Sequence, residues 1–155
     1  MLPQVLCVNN HIISGTQVHE IRDHIRAEKT WHLRRGTSAW VNAPAMVEVL
    51  GILGASLAAA KPLAHCVLVM DCSPVHTTAS VVRAAARAGV HLLFVPASMT
   101  HLMQPLDTHI FANLKNTMRA AHERFALRSG KGEVSNVDAC KIVFDSVKSV
   151  LQEGQ

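Results

Sequence analysis

His65-Cys66-Val67-Leu68-Val69-Met70-Asp71 is a nearly continuous apolar run closed by an acid, and Val90-His91-Leu92-Leu93-Phe94-Val95 is a second such run. The first has the pattern of a strand buried on both faces, as in a parallel sheet. Between the runs, Thr77 or Thr78 is placed to cap a helix through Ala88, with Val81, Val82, Ala85 and Ala88 inward, Arg83 and Arg87 outward and Gly89 at its C-terminal stop. Strand, helix and strand within about thirty residues make a βαβ unit, which brings both strand carboxyl ends to one edge of the sheet. α/β proteins build their sites at that edge.

Outward from this unit the signals thin. Asn42 and Pro44 open a helix whose Met46, Val49, Leu50, Leu53 and Leu57 fall at helical spacing up to Lys61-Pro62, predicting a buried core helix. After Pro96 a loop passes Thr100-His101, and Pro105 opens a helix with Leu106, Ile110, Phe111, Leu114, Met118, Ala121 and Phe125 in register. Beyond Gly130-Lys131-Gly132, Ser135 or Asn136 caps a last helix with Cys140, Val143, Phe144, Val147 and Leu151 inward. Toward the N-terminus, Gln4 to Val8, the turn-like Asn9-Asn10 and Ile12 to Gly15 read as strand, turn and strand. Thr16 to Gly36 is polar and basic without a clear period, and reads as a long loop or marginal helix. No internal repeat or linker divides the chain, so residues 1–155 read as a single domain of the α/β class.

Composition narrows the function. The 155 residues are 49% hydrophobic, enough for one domain with a core, and 15 Lys+Arg against 11 Asp+Glu give a net charge of +4. That charge permits a polyanionic partner. Aromatics are only 4% with no Tyr, which disfavours single-strand binding modules built on stacking platforms. The 4 cysteines lack a CxxC pair, and with 10 His they lack paired zinc spacing, so they read as buried thiols of a reducing, intracellular compartment. No secretory signal is apparent at the N-terminus, and Glu48, Gly51 and Gly54 interrupt the most apolar stretch, so no membrane partner is expected.

Asp71 ends a buried strand, and Asp107 follows the adjacent parallel strand after a loop containing two prolines. Taken singly, each has an ordinary explanation as a turn residue or a helix-start acid. Together they can converge on one sheet edge, where two carboxylates repel unless a cation lies between them. Hard oxygen ligands suit Mg²⁺ or Mn²⁺, which also bind phosphate oxygens, and this points to metal-assisted phosphodiester chemistry. A two-metal site needs about three carboxylates, so two acids are one short.

These residues sit in longer motifs. Val69-Met70-Asp71-Cys72-Ser73-Pro74-Val75-His76 resembles the strand, Asp, x4, His motif around the second catalytic acid of pogo-like DDE superfamily transposases. Pro96-Ala97-Ser98-Met99-Thr100-His101-Leu102-Met103-Gln104-Pro105-Leu106-Asp107 resembles their PxxTHxxQPLD motif, and Phe111, Leu114 and Lys115 follow as in the family. The resemblance runs from about Trp40 to Phe125 and more loosely to the end. It implies an RNase H-like fold, a mixed sheet flanked by helices, with Gln4 to Ile13 as the second and third strands. The first strand and its Asp would then lie upstream of Met1, making this a partial, N-terminally truncated catalytic domain.

The resemblance further implies Mg²⁺ or Mn²⁺ as cofactor, Asp71 and Asp107 as metal ligands and catalytic acids, DNA as partner through phosphate contacts, and the nucleus as location. It leaves room for a homo-oligomer. Among acids before Asp71, Glu20, Asp23 and Glu28 lie in the basic segment and Glu48 on the apolar helix, so none has the context of a strand-borne ligand. Cys72 stands where the family commonly has Asn. His76 and His101, at motif positions, could orient metal-bound water or phosphate. Arg22 to Arg35, and the face with Lys115, Arg119, Arg128 and Lys131, are candidate DNA contacts or ordinary solvated faces. With one acid missing, the chain alone is expected not to cleave DNA. The other reading is a noncatalytic DNA-binding or protein-interaction domain, as in centromere protein B and other domesticated relatives.

Overall fold

The computed structural model describes residues 4–37, 40–60, 66–99, 110–130 and 132–153. In chain order these form β1 (Gln4–Asn9), α1 (Gly15–Ile25), β2 (Trp31–Gly36), α2 (Ala43–Ala60), β3 (Cys66–Asp71), α3 (Ala79–Arg87), β4 (Val90–Val95), a 3₁₀ turn (Ala97–Met99), α4 (Phe111–Ser129) and α5 (Asn136–Glu153). The α/β class holds. The described strands form two parallel pairs, β1 with β2 and β3 with β4.

The strand-helix-strand order of β3, α3 and β4 is the predicted one, in a register that sets Cys66 opposite Val90 and Asp71 opposite Val95, but Thr78 holds the N-cap position of α3 without a side-chain cap bond, its hydroxyl donating to the Val75 carbonyl. Gly89 adopts φ 68°, the left-handed stop that glycine takes without a Cβ penalty. Burial, however, is one-sided. Cys66, Leu68 and Met70 on β3 and Val90, Leu92 and Phe94 on β4 share a core with Met46 and Leu50 of α2 and Val81, Ala84 and Ala85 of α3. On the other face Val67 is 63% and Leu93 54% exposed, so β3 is not buried on both faces. Both helices pack on the same side.

How α2 meets α3 also corrects the predicted inner face of α3. A Cβ placed on Gly54 would lie 2.8 Å from the Cβ of Ala88 and 3.0 Å from its Cα, so the two helices cross there with nothing between them. That approach turns Val81, Ala84, Ala85 and Ala88 inward and leaves Val82 exposed. α2 begins where Asn42 accepts a hydrogen bond from the Ala45 N–H at 3.0 Å. By length and composition it is apolar enough to cross a membrane, with mean hydropathy 1.7, but only one stripe of it enters the core. His65 and Lys61-Pro62 lie outside the described residues.

The N-terminal third differs most from expectation. Ile12 to Gly15 is not a strand: Asn9 accepts from the His11 N–H through its side chain and from Ile13 through its carbonyl, closing a turn. Ser14 then caps α1, its hydroxyl accepting from the Gln17 N–H while the Gln17 side chain accepts from the Ser14 N–H. This reciprocal capping box starts a helix where a single apolar pair, Ile12-Ile13, had read as a strand. Within the basic segment Val18, Ile21 and Ile25 are buried at helical spacing, and Trp31 to Gly36 returns as a strand parallel to β1. Val8, Ile13, Val18 and Ile21 close a second core with Val137 of α5.

α4 and α5 pack on each other. No residue of α4 is fully buried, so its apolar face, Leu114, Met118, Ala121 and Phe125, is half-covered. The predicted start of this helix at Pro105 lies outside the described residues. For α5 the cap is Ser135, whose hydroxyl accepts from the Asp138 N–H at 3.1 Å. α5 is tied to the α1-β2 region by Lys141 with Glu20, His24 with Asp145, Lys148 with Glu28, and the Trp31 ring set edgewise on Phe144 at 4.6 Å.

The helix crossing yields a paired test. Gly51 of α2 has open space where a Cβ would go. Gly51→Ala should therefore raise stability by about 0.5–1 kcal/mol, the ordinary gain over glycine in a helix. Gly54→Ala should instead lower it by about 1–3 kcal/mol, because the new methyl meets backbone-linked atoms of Ala88 that cannot swing away. Thermal and urea unfolding measure both, and equal stabilisation by the two would show that α2 and α3 do not cross at Gly54.

Candidate metal centre

β3 delivers Asp71 to the carboxyl end of the sheet, opposite Val95, where β4 also leaves it through Pro96 and the 3₁₀ turn. Directly after Asp71 the chain folds back on itself. The carbonyl of Ser73 accepts from the N–H groups of His76 and Thr77 at 2.9 and 3.2 Å, and the Thr78 hydroxyl donates to the Val75 carbonyl at 3.1 Å. Pro74 stiffens the turn by fixing its own φ. The turn carries the His76 ring back to the strand end, where Nδ1 lies 2.6 Å from Asp71 Oδ1 and 3.3 Å from the Asp71 carbonyl oxygen. An ionised carboxylate only accepts, so Nδ1 carries the proton and donates. The imidazole is the more covered partner, at 23% exposure against 45% for the acid. The sequence marks both residues through the Asp, x4, His motif, but reads His76 as orienting metal-bound water or phosphate and not as the partner of Asp71.

Asp107 and His101 lie outside the described residues. Three of the four other acids before Asp71 are engaged elsewhere. Glu20 pairs with Lys141, Glu28 with Lys148, and Glu48 accepts from Arg34 Nε at 2.8 Å, while Asp23 is exposed on α1. None is on a strand, as expected. Asp71 pairs instead with a histidine, as Asp145 on α5 pairs with His24, and no lysine or arginine bridges it among the described residues.

The donor chemistry at Asp71 fits one ligand of a hard divalent cation: a half-exposed carboxylate at a sheet edge, hydrogen-bonded through Oδ1. No group of three or more His, Cys, Asp or Glu able to hold a metal occurs among the described residues. The four cysteines are free thiols. Burial pushes the thiols of Cys7 and Cys140 above the usual range, whereas Cys72, beside Asp71, is exposed.

Positive charge gathers on another surface. Arg22, Arg26 and Lys29 line a cleft of about 360 Å³ with Trp31, Leu33 and Ile52. The cleft's own acids, Glu28 and Glu48, are the ones neutralised by Lys148 and Arg34. On α4, Lys115, Arg119 and Arg128 are spread along the helix, and Lys131 lies outside the described residues.

No curated protein and no solved structure matches the chain. A family model described as DDE superfamily endonuclease matches residues 11–150. That span starts in the turn before α1, ends in α5, and takes in Asp71 with its histidine loop as well as the motif that contains Asp107. By this match the chain belongs to the DDE superfamily endonucleases.

Proposed function

We propose that this chain is part of the catalytic core of a pogo-like transposase with an RNase H-like fold, which acts on DNA phosphodiesters with Mg²⁺ or Mn²⁺ held by Asp71 and Asp107. The observation that carries this reading is the contrast among carboxylates. Glu20, Glu28 and Glu48 each pair with a lysine or arginine, whereas among the described residues Asp71, at the strand end, pairs with His76. An acid in that position is a ligand in waiting for an external cation. When bound, such an ion polarises the phosphodiester and lowers the pKa of an attacking water.

The residues divide the work by their chemistry. Asp71 supplies a hard oxygen. Arg22, Arg26 and Lys29 contact DNA phosphates, which fixes the duplex without reading its sequence. The same ion pairs favour a second proposal, that the third acid lies outside residues 1–155, because three of the four acids preceding Asp71 are already paired. On that view the chain by itself holds metal and DNA without cutting, as a noncatalytic relative would.

Three measurements test the reading. Calorimetric titration with Mn²⁺ should show binding by the native chain and loss of it in Asp71→Ala and Asp107→Ala; undiminished binding in both removes the ligand assignment. DNA affinity should be independent of sequence and fall steeply with salt, at about −0.9 in log K per log salt for each phosphate neutralised. Replacing Arg22, Arg26 and Lys29 together by alanine should reduce that slope by about three units. The same change in Lys115, Arg119 and Arg128 should matter less, and the reverse order would move the DNA to α4. Finally, plasmid cleavage with Mn²⁺ should fall at least about 10²–10³-fold below that of a complete site, since one preorganised charge-stabilising group is absent. Robust cleavage lost in Asp107→Ala would mean that Asp23 or Glu20 completes the triad.

A further inference from the structure

Resting on that reading, we propose that His76 is a positioning residue for Asp71: its Nδ1–H holds Oδ1 so that the carboxylate is fixed in the orientation in which it takes a divalent ion. The bond is short, 2.6 Å, and the ring's place is set by the main chain before any ligand arrives. Ser73 accepts from both His76 and Thr77, and Thr78 pins Val75, so four consecutive residues of the loop are tied down. Exposure follows the same logic, with the imidazole covered and the acid left half-open to solvent.

A carboxylate at the end of a strand can rotate about χ1 and χ2 and must be ordered when it binds an ion. A donor already seated on one oxygen removes much of that ordering cost and leaves the lone pairs of the second oxygen for the cation. Because Nδ1 also lies 3.3 Å from the carbonyl of the same residue, the ring spans the main chain and side chain of Asp71 together. The side chain is thereby referenced to the strand itself. A histidine that only fastened the loop to the sheet would affect folding and not ion affinity.

Amide isosteres separate the two roles. Asparagine sets its amide nitrogen near the place of Nδ1, whereas glutamine sets it near Nε2, so only the first can restore the bond. Mn²⁺ affinity of the full chain is measured by calorimetry for His76→Ala, His76→Asn, His76→Gln and Asp71→Asn, with thermal melts to confirm folding. The expected result is loss of binding in Asp71→Asn, affinity weakened about 10–100-fold in His76→Ala and His76→Gln, and near-native affinity in His76→Asn. Native affinity in His76→Ala or His76→Gln, with Asp71→Asn still abolishing it, overturns the positioning role and leaves the metal site standing. Equal weakening in His76→Asn and His76→Gln overturns it too. If Asp71→Asn binds as the native chain does, the metal reading itself fails and the positioning role goes with it. Should His76→Ala not fold, the asparagine and glutamine variants decide alone.

Discussion

The parallel pairing of β3 with β4 constrains everything around it. Parallel neighbours cannot be joined by a tight turn, so the chain must cross back over the sheet, and α3 is that crossover. Once it is made, both strands end on the same edge, and the residue closing β3 is presented there beside the exit of β4. Asp71 has its position for this reason. The crossover in turn brings α3 against α2 so closely that Gly54 and Ala88 touch without side chains between them. A fold with a larger residue at either position would separate the helices and loosen the core formed by Met46, Leu50, Met70 and Val81.

Charge is arranged around the same frame. Lys141 and Lys148 on α5, with Arg34 on β2, neutralise Glu20, Glu28 and Glu48. Surface pairs of this kind contribute little to stability, typically about 0–1 kcal/mol each. Their larger effect is on what remains. The basic residues of the cleft, Arg22, Arg26 and Lys29, lie beside acids that already have cations of their own, which leaves the cleft attractive to an anion. At the sheet edge Asp71 pairs with a histidine, and no lysine or arginine bridges it among the described residues.

Where sequence and structure part, the cause is the reach of each signal. Turn and cap chemistry is local and was legible at Asn42, Gly89, Gly130 and Ser135, but Ile12-Ile13 masked the capping box that starts at Ser14, and the density of basic residues hid the Val18, Ile21, Ile25 stripe. The inner face of α3 could not be read from periodicity, since an alanine-rich helix offers several equivalent stripes and only the crossing with α2 selects Ala84 over Val82. Likewise an apolar strand reads as buried on both faces unless it is known that its helices lie on one side.

By itself the sequence determined the βαβ unit, the placing of Asp71 at a strand end and the family motifs, because these depend on spacing between near neighbours along the chain. Tertiary structure decided which acids carry a cationic partner and which face of each helix is covered. Glu20 and Lys141 are far apart in sequence and meet only because α5 docks on α1. The hydrogen bond from His76 to Asp71 stands between these cases: the sequence marks both residues within one motif, and only the folded turn through Ser73 and Pro74 determines that they touch.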